Sequence, residues 1–587
     1  MLRFHRFWAC AAVLLALPLA AQAEDRPAAQ LLPPTTVLYA EAPRPNEVLE
    51  LLLTHPLRSR FEQVEQYREA LKSAKFAQFQ AVVTIVEAQL GLTWREALEG
   101  LQAGGVFLAA DSETEGVALL VRARDEAALD KIRETFINLA RADARRKGKE
   151  DPIKTGEYRE QAAYQIDKGL FTTLGPWLVV VNKQELGKRI IDCYLDGGDS
   201  LADRPVFQSA RKEIAGQPTA WAWLDMQAVR DSGKAHRLEE GRTDNPVAEL
   251  IGGGLIDNLQ QTPYLAASVY LDASQFRLSL SSPHNTQWVD EPRWHFFGKE
   301  GEGAAPPMLE APRMLASVSA YRDVSRMWLH ADDLFDAKTS EQISKANGVL
   351  TTLFSGRDFG EDVLSAVEPG FQVVVARQDF EGRLPRPSIK LPAAAVVSRL
   401  KDPERMQGEL RRMFLNFVGF VNFAGGTNGQ PQLDFDIEKE GDTQIISTRY
   451  LPDVGEKDST DARINFNFSP SVAFVGDVVI VASTEQLARD LMKHAAGDKE
   501  QRGEQSQVNS AVTVDLSVLR DVLDDNRQHL IAQNMLKEGH TREEAEQQVG
   551  ILLTVLDVFK QAKVQLLVEK ERLVVETVVQ LKPQDAP

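Results

Sequence analysis

Cysteine is nearly missing from this chain. The two present are Cys10, inside an N-terminal apolar stretch, and Cys193. One cysteine beyond the N-terminal stretch cannot close an internal disulfide, so the fold must rest on hydrophobic cores, which 587 residues permit. Cys193 sits in a helical pattern with Ile190, Ile191 and Tyr194 and reads as a small, partly buried residue. A catalytic thiol needs a positioned His, and none stands near it in sequence. Positive charge is short as well: 67 Lys and Arg face 85 Asp and Glu, a net charge of −18. That balance argues against nucleic acid and anionic lipid as main partners. The densest basic patch, Arg141, Arg145, Arg146, Lys147 and Lys149, falls at the end of an expected helix, where cations suit the macrodipole. Long apolar runs are also lacking. After the N-terminus no stretch reaches the roughly 18 to 20 unbroken apolar residues of a membrane span. At the N-terminus, Arg3 and Arg6 precede the apolar Trp8–Ala20, and Ala21-Gln22-Ala23 gives a small-residue cleavage site. Residues 1–23 therefore read as a secretory signal peptide, and the remainder as an exported, periplasmic or secreted protein without a transmembrane span. Cys10 lies in the context FWAC, a poor one for a lipid anchor.

Chemical motifs are equally scarce. Gly198-Asp199-Ser200-Leu201 spells an esterase serine motif, but it falls between two expected helices, and none of the nine His has an Asp three positions before it. No G-x-S-x-G elbow is present. Asp434, Asp436 and Glu438 alternate along a strand, but Lys439 follows where a calcium loop wants Gly. His284 and His295 lack metal-ligand spacing. Gly252-Gly253-Gly254 lacks the Lys-Ser/Thr of a phosphate loop and reads as a helix break or a close approach of backbones. The sequence therefore assigns no catalytic residue, no cofactor and no metal. A hydrolase assembled from distant positions is the alternative, with Ser200 and some His, or Asp225 and Asp515, as its candidates. Both aspartates read as helix caps instead.

What is present is the composition of a folded protein, 43% hydrophobic and 26% charged, and a pattern written twice. GPWLVVVNKQELGKRI, starting at Gly175, returns as GDVVIVASTEQLARDL, starting 301 positions later at Gly476. TAWAWLDMQAVRD returns as SAVTVDLSVLRD, and both halves end in an apolar hairpin, Tyr264–Ser281 and Lys563–Leu581. Block order is the same throughout, which predicts two domain-sized copies rather than a solenoid. The boundaries follow: a first α+β domain over 24–284, a Gly-, Pro- and charge-rich connection over 285–312, a second α+β domain over 313–583, and a tail over 584–587. Trp177–Val181 and Val478–Ala482 are continuous apolar runs, which fit strands buried on both faces. Asn182 with Glu185, and Ser483 with Gln486, have capping-box spacing. Helices are expected over Asn46–Val64, Gln66–Leu90, Thr93–Leu101, Glu126–Arg146, Asp402–Phe420 and Thr541–Gln561. Hairpins mixed with helices, without βαβ alternation, give α+β with mainly antiparallel sheet: two homologous tandem halves.

One helix departs from the amphipathic norm. Arg411–Gly426 is apolar nearly all round, with Phe414, Phe417, Phe420 and Phe423 three apart. Such a helix is buried in a core, or covers an apolar ligand or partner. LLPPTTVLYAEAPRPNEVLE, DSLADRPVFQSAR, WLDMQAVRD and SAYRDVSRMWLHADDLF together resemble an uncharacterised family of exported bacterial proteins, known as a domain of unknown function. That resemblance implies export and architecture, and it brings no functional residues. The expected function is a non-enzymatic binding or scaffold protein of the cell envelope, partnered by a protein or an apolar ligand, with the four phenylalanines as its candidate surface.

Overall fold

The computed structural model describes residues 26–54, 91–166, 169–233, 241–353, 356–497, 507–569 and 571–583, with isolated positions between 68 and 88. The expected signal peptide, most of the helix expected over Gln66–Leu90 and the C-terminal tail lie outside the described residues. The chain divides into two compact units, 1–234 with 263–273, and 235–262 with 274–587.

The first unit carries β1 (Thr36–Ala42), β2 (Val106–Asp111), β3 (Gly116–Arg122), β4 (Ile153–Tyr158), β5 (Gln161–Ile166), β6 (Gly169–Leu174), β7 (Trp177–Val181), β8 (Ala220–Asp225) and β9 (Tyr264–Leu271). All its pairings are antiparallel, in the order β4-β5-β6-β7-β3-β2-β1-β8-β9. The second unit carries β10 (Gln275–Pro283), β11 (Met314–Ala320), β12 (Phe371–Ala376), β13 (Ala393–Arg399), β14 (Leu433–Glu440), β15 (Thr443–Tyr450), β16 (Ser471–Val475), β17 (Val478–Ala482), β18 (Val508–Asp515), β19 (Phe559–Glu569) and β20 (Arg572–Leu581). Its antiparallel order is β14-β15-β16-β17-β13-β12-β11-β18-β19-β20-β10. The first nine strands of this order repeat the order of the first unit. The fold is α+β, with antiparallel sheet in each unit.

Turn chemistry explains the hairpins. Arg159 and Glu160 both take positive φ, 51° and 66°, in the two-residue loop between β4 and β5, where such φ values match the strand twist. Gly175 and Gly476, which open the two matching stretches, sit at φ 56° and 59° in the loops before β7 and β17. One sheet face in each unit packs on a helix. Helix Gln184–Asp196 buries Leu186, Ile190 and Ile191 on the core that holds Leu120, Trp177 and Val179. Helix Glu485–Gly497 sits likewise, with Leu487, Ala488 and Leu491 on Val374, Ala395 and Ile480. In the first unit Tyr39, Phe207, Trp221 and Trp223 complete the core, with edge-to-face ring contacts at 5.3 to 5.6 Å.

Several expectations are corrected by these elements. Capping boxes form at Thr93 with Glu96 and at Thr541 with Glu544. Those at Asn182 and Ser483 do not, because each side chain is turned onto a neighbouring strand. Asn182 Oδ1 accepts from Val117 N at 2.7 Å, and Ser483 Oγ accepts from Ala394 N at 2.8 Å. Each helix begins one residue later than such a cap would give, at Gln184 and Glu485. The three consecutive glycines do not break their helix, which runs unbroken over Pro246–Gln261. They admit neighbours instead: a Cβ on Gly253 would stand 2.1 Å from Glu249 Oε1, and one on Gly254 would stand 2.6 Å from Phe296 Cδ1. Nor are β7 and β17 enclosed on both faces. Val481, in the middle of the apolar run, is 51% exposed.

Candidate functional site

The helix of the four phenylalanines belongs to the second unit and runs over Pro403–Gly426, six residues past the expected end. Asp402 caps it by accepting from Arg405 N at 3.2 Å, and Pro403 occupies the first turn, where its missing N–H costs nothing. Residues three apart on a helix of 3.6 per turn fall back by about 60° each step. The four rings therefore wind around the helix rather than forming one stripe. Phe414 packs with Leu410 and Leu415 on the cluster holding Met406, Ile446, Val472 and Phe474. Phe417 stands beside Phe414 with ring centroids 6.3 Å apart, and from there the rings turn outward. Phe420 is 66% exposed and Phe423 is 77% exposed. The expectation of a helix closed inside a core is thereby overturned: Met406 and Val418 are its buried residues. Asn422 fixes its far end to β14, donating to Leu433 O at 2.9 Å and accepting from Leu433 N at 2.7 Å.

The sheet beneath extends this surface. Direct cross-strand partners share a face. Their registers align Ile437, Ile446, Val472, Val481, Val396, Val373, Val318, Val512 and Val564 across nine neighbouring strands. All nine are β-branched, which suits a strand. Helix Pro403–Gly426 covers Ile446 and Val472. The belt emerges on both sides of the helix, with Ile437, Val481, Val396, Val512 and Val564 exposed. Phe435, beside Ile437, is exposed on the same face. Sequence periodicity registered the apolar residues of these strands but carried no information on what faces them.

The other candidates resolve into structure. Ser200 is buried, and its Oγ donates to Asp203 at 2.6 Å in a capped 3₁₀ turn. Asp225 accepts from Ala228 N at 2.9 Å and pairs with Arg204, while Asp515 accepts from Ser517 N and Val518 N at 2.9 Å. Both are helix caps, as the spacing predicts. Asp434 and Glu438 are bound to Arg449 and Arg489. Burial raises the pKa of the Cys193 thiol, which works against a reactive thiolate. Among the described residues no group of three or more His, Cys, Asp or Glu is placed to hold a metal ion.

A buried polar cluster of the second unit went unseen in the sequence. Arg293 Nε donates to Glu249 Oε1 at 2.9 Å, Nη1 donates to Asp257, and Nη2 donates to Gly241 O. All three charged side chains are buried. Nearby, Arg322 stacks on Phe296, its guanidinium carbon 3.5 Å from the ring centroid, and donates to Asn509 Oδ1 at 2.8 Å and Ser510 Oγ at 2.9 Å. Burial pulls its pKa down to about 9. His284 Nδ1 meets Asn258 Oδ1 at 2.9 Å, and burial pushes its pKa down to about 4. These contacts tie helix Pro246–Gln261 and the segment around Phe296 to β18. The Arg293 donors are spent on the protein itself, so the cluster is a fastening, while His284 Nε2 is buried without a hydrogen-bond partner.

Among the described residues no helix is long and apolar enough to cross a membrane. No family model matches the chain. No curated protein matches it either. Solved structures of TP0453 are similar to part of it: crystal form III at 11% identity, covering 44% of this chain and 80% of that one, and crystal form I at 12%, covering 44% and 79%. The TM-score is 0.23 for both.

Proposed function

We propose that this chain is a non-enzymatic binding protein of the cell envelope, exported by its N-terminal segment and built from two copies of one domain. The recurring strand order supports the duplication. The surface that binds is the apolar belt of the second unit, together with the rings of Phe417, Phe420 and Phe423. One observation carries the reading: a nine-strand row of β-branched residues left open on either side of a helix whose outward residues include Phe417, Phe420 and Phe423. Single exposed apolar residues are ordinary, whereas contiguous apolar surface marks a site for an apolar ligand or a protein partner. Covering the three rings alone removes roughly 350 Å² from water, on the order of 9 kcal/mol before association costs. Those costs are about 4–15 kcal/mol, so the rings and the belt together reach useful affinity.

The test uses the protein purified gently from its own envelope fraction, as wild type and as Phe420→Ser/Phe423→Ser. Both side chains point outward, so the variant is expected to melt within about 1 °C of wild type. Native mass spectrometry is expected to show a retained apolar molecule or protein partner on wild type and its loss from the variant. A folded variant that keeps every bound species of wild type would refute the proposal. So would a wild type that binds nothing, including the fluorescent apolar probe anilinonaphthalene sulfonate.

A further inference from the structure

The first unit holds a cavity of about 230 Å³ between helix Gln184–Asp196 and the outer strands β4, β5 and β6. Gly156, Ala163, Leu170 and Thr172 form its sheet side, and Gln184, Gly187 and Lys188 form its helix side. The second unit has the matching strands and helix, with different side chains at the matching places.

Register gives the counterparts. Gly156 pairs with Ala163, and Ala163 with Thr172; Glu438 pairs with Ile445, and Ile445 with Ala473. Thr172 and Ala473 share the 301-residue offset of Gly175 and Gly476. So Glu438 stands where Gly156 stands, Ile445 where Ala163 stands, and Ala488 where Gly187 stands. At these three places the second unit has the larger side chain, whereas Leu170 and Thr172 have the smaller counterparts Ser471 and Ala473. Charge follows the same exchange. Arg489, the counterpart of Lys188, is held by Glu438 at 2.5 and 3.1 Å and by Glu485 at 2.8 Å. In the first unit both carboxylates are gone, replaced by Gly156 and Gln184. Lys188 pairs instead with Glu185 at 3.0 Å, whose carboxylate is 70% exposed and therefore a weak, screened partner. Lys154, two residues before Gly156 on the same face of β4, adds a second cation to the rim, which also carries Glu157. A Cβ built on Gly156 meets nothing within 4 Å.

We infer that the first unit binds a small carboxylate. Its apolar body lies on Ala163, Leu170 and Thr172. Its carboxylate meets Lys188 and Gln184, as the Glu438 side chain meets Arg489 and neighbours Glu485 in the second unit. The cavity is smaller than the roughly 300 Å³ at which drug-sized pockets begin, so the ligand is of small-metabolite size. This site is separate from the apolar belt and stands whether or not the belt binds anything.

The test is isothermal titration of the full chain with hexanoate, benzoate and phenylacetate, and with hexanol and benzyl alcohol as uncharged matches. At least one carboxylate is expected to bind at a single site, with the matching alcohol about tenfold weaker or worse, since a charge-assisted contact is lost. Gly156→Glu supplies the missing carboxylate internally and is expected to abolish binding without lowering the melting temperature. Lys188→Met is expected to weaken it about tenfold. Should Gly156→Glu fail to fold, Ala163→Ile, which imports the floor residue of the second unit, blocks the same volume. No carboxylate binding at millimolar concentration, or binding unchanged in the pocket-filling variants, overturns the inference.

Discussion

Arg293→Met removes the single guanidinium that bridges two buried carboxylates on one helix. Glu249 and Asp257 are 0% and 2% exposed, so water does not replace what is lost. Breaking a buried ion pair from one side costs about 3–5 kcal/mol. Here two acids lose their cation and Gly241 O loses a donor, so the upper part of that range, about 4–5 kcal/mol at neutral pH, is expected. Burial already raises the pKa of the Asp257 carboxyl with Arg293 in place. Without Arg293 the folded-state pKa rises further above the unfolded value. The folded variant then binds more protons than the unfolded one across that interval, so its relative stability improves as pH falls. The cost is therefore greatest near pH 7 and shrinks toward about pH 4–5. The assay is urea unfolding of wild type and variant at both pH values, followed by circular dichroism. Two compact units call for separate fitting of any second transition. Adding Glu249→Gln and Asp257→Asn to Arg293→Met should recover much of the loss, since no charge is then stranded. A loss below about 1 kcal/mol at neutral pH, or one equal at both pH values, would refute the reasoning.

Two glycines two residues apart on one helix should behave oppositely. Gly252→Ala meets open space and should stabilise by about 0.5–1 kcal/mol through helix propensity, whereas Gly254→Ala drives a methyl into the buried Phe296 ring and should cost about 1–3 kcal/mol; thermal melts of both decide it. His284 is held neutral, its pKa about 4 against an ordinary 6.5. It contributes stability that is fully present above about pH 6.5 and lost as pH falls through 4, up to roughly 3 kcal/mol. Wild type should therefore lose more stability on acidification than His284→Gln, as chemical unfolding at neutral and acid pH would show.

The readable parts of this fold were those where one local interaction decides the outcome. Thr93 and Thr541 cap their helices because Glu96 and Glu544 stand three residues on. Asp225 and Asp515 cap theirs because each follows a strand and precedes a helical pattern. The parts that misled depend on a distant neighbour. Asn182 and Ser483 had the spacing of a cap, but the N–H groups of Val117 and Ala394 took their oxygens. The runs at β7 and β17 looked enclosed because an apolar residue says nothing about whether protein or solvent meets its second face. Helix Pro403–Gly426 runs past Phe420 because Asn422, bound to β14, outweighs the low helix propensity of Gly425 and Gly426. The cavity beside Lys188 was invisible for a simpler reason: it is made of side chains that are not there, at Gly156, Ala163 and Gly187.

The strand order has a consequence in time. β1 and β11 each occupy an interior place early in the chain of their unit, and one of the two partners of each is made much later. Leu38 pairs with Leu224, and Ala316 with Val514, roughly two hundred residues apart. At about 5–20 residues per second, β1 and β11 wait some ten to forty seconds with one edge bare. Loop closure over such a span is slow, and a bare edge invites pairing with another chain. Each sheet can complete its centre only when nearly its whole unit has been synthesised. A chain cut short before Leu224 or Val514 keeps β1 or β11 unpaired on that side, which makes truncated forms poor candidates for stable fragments and good ones for aggregation.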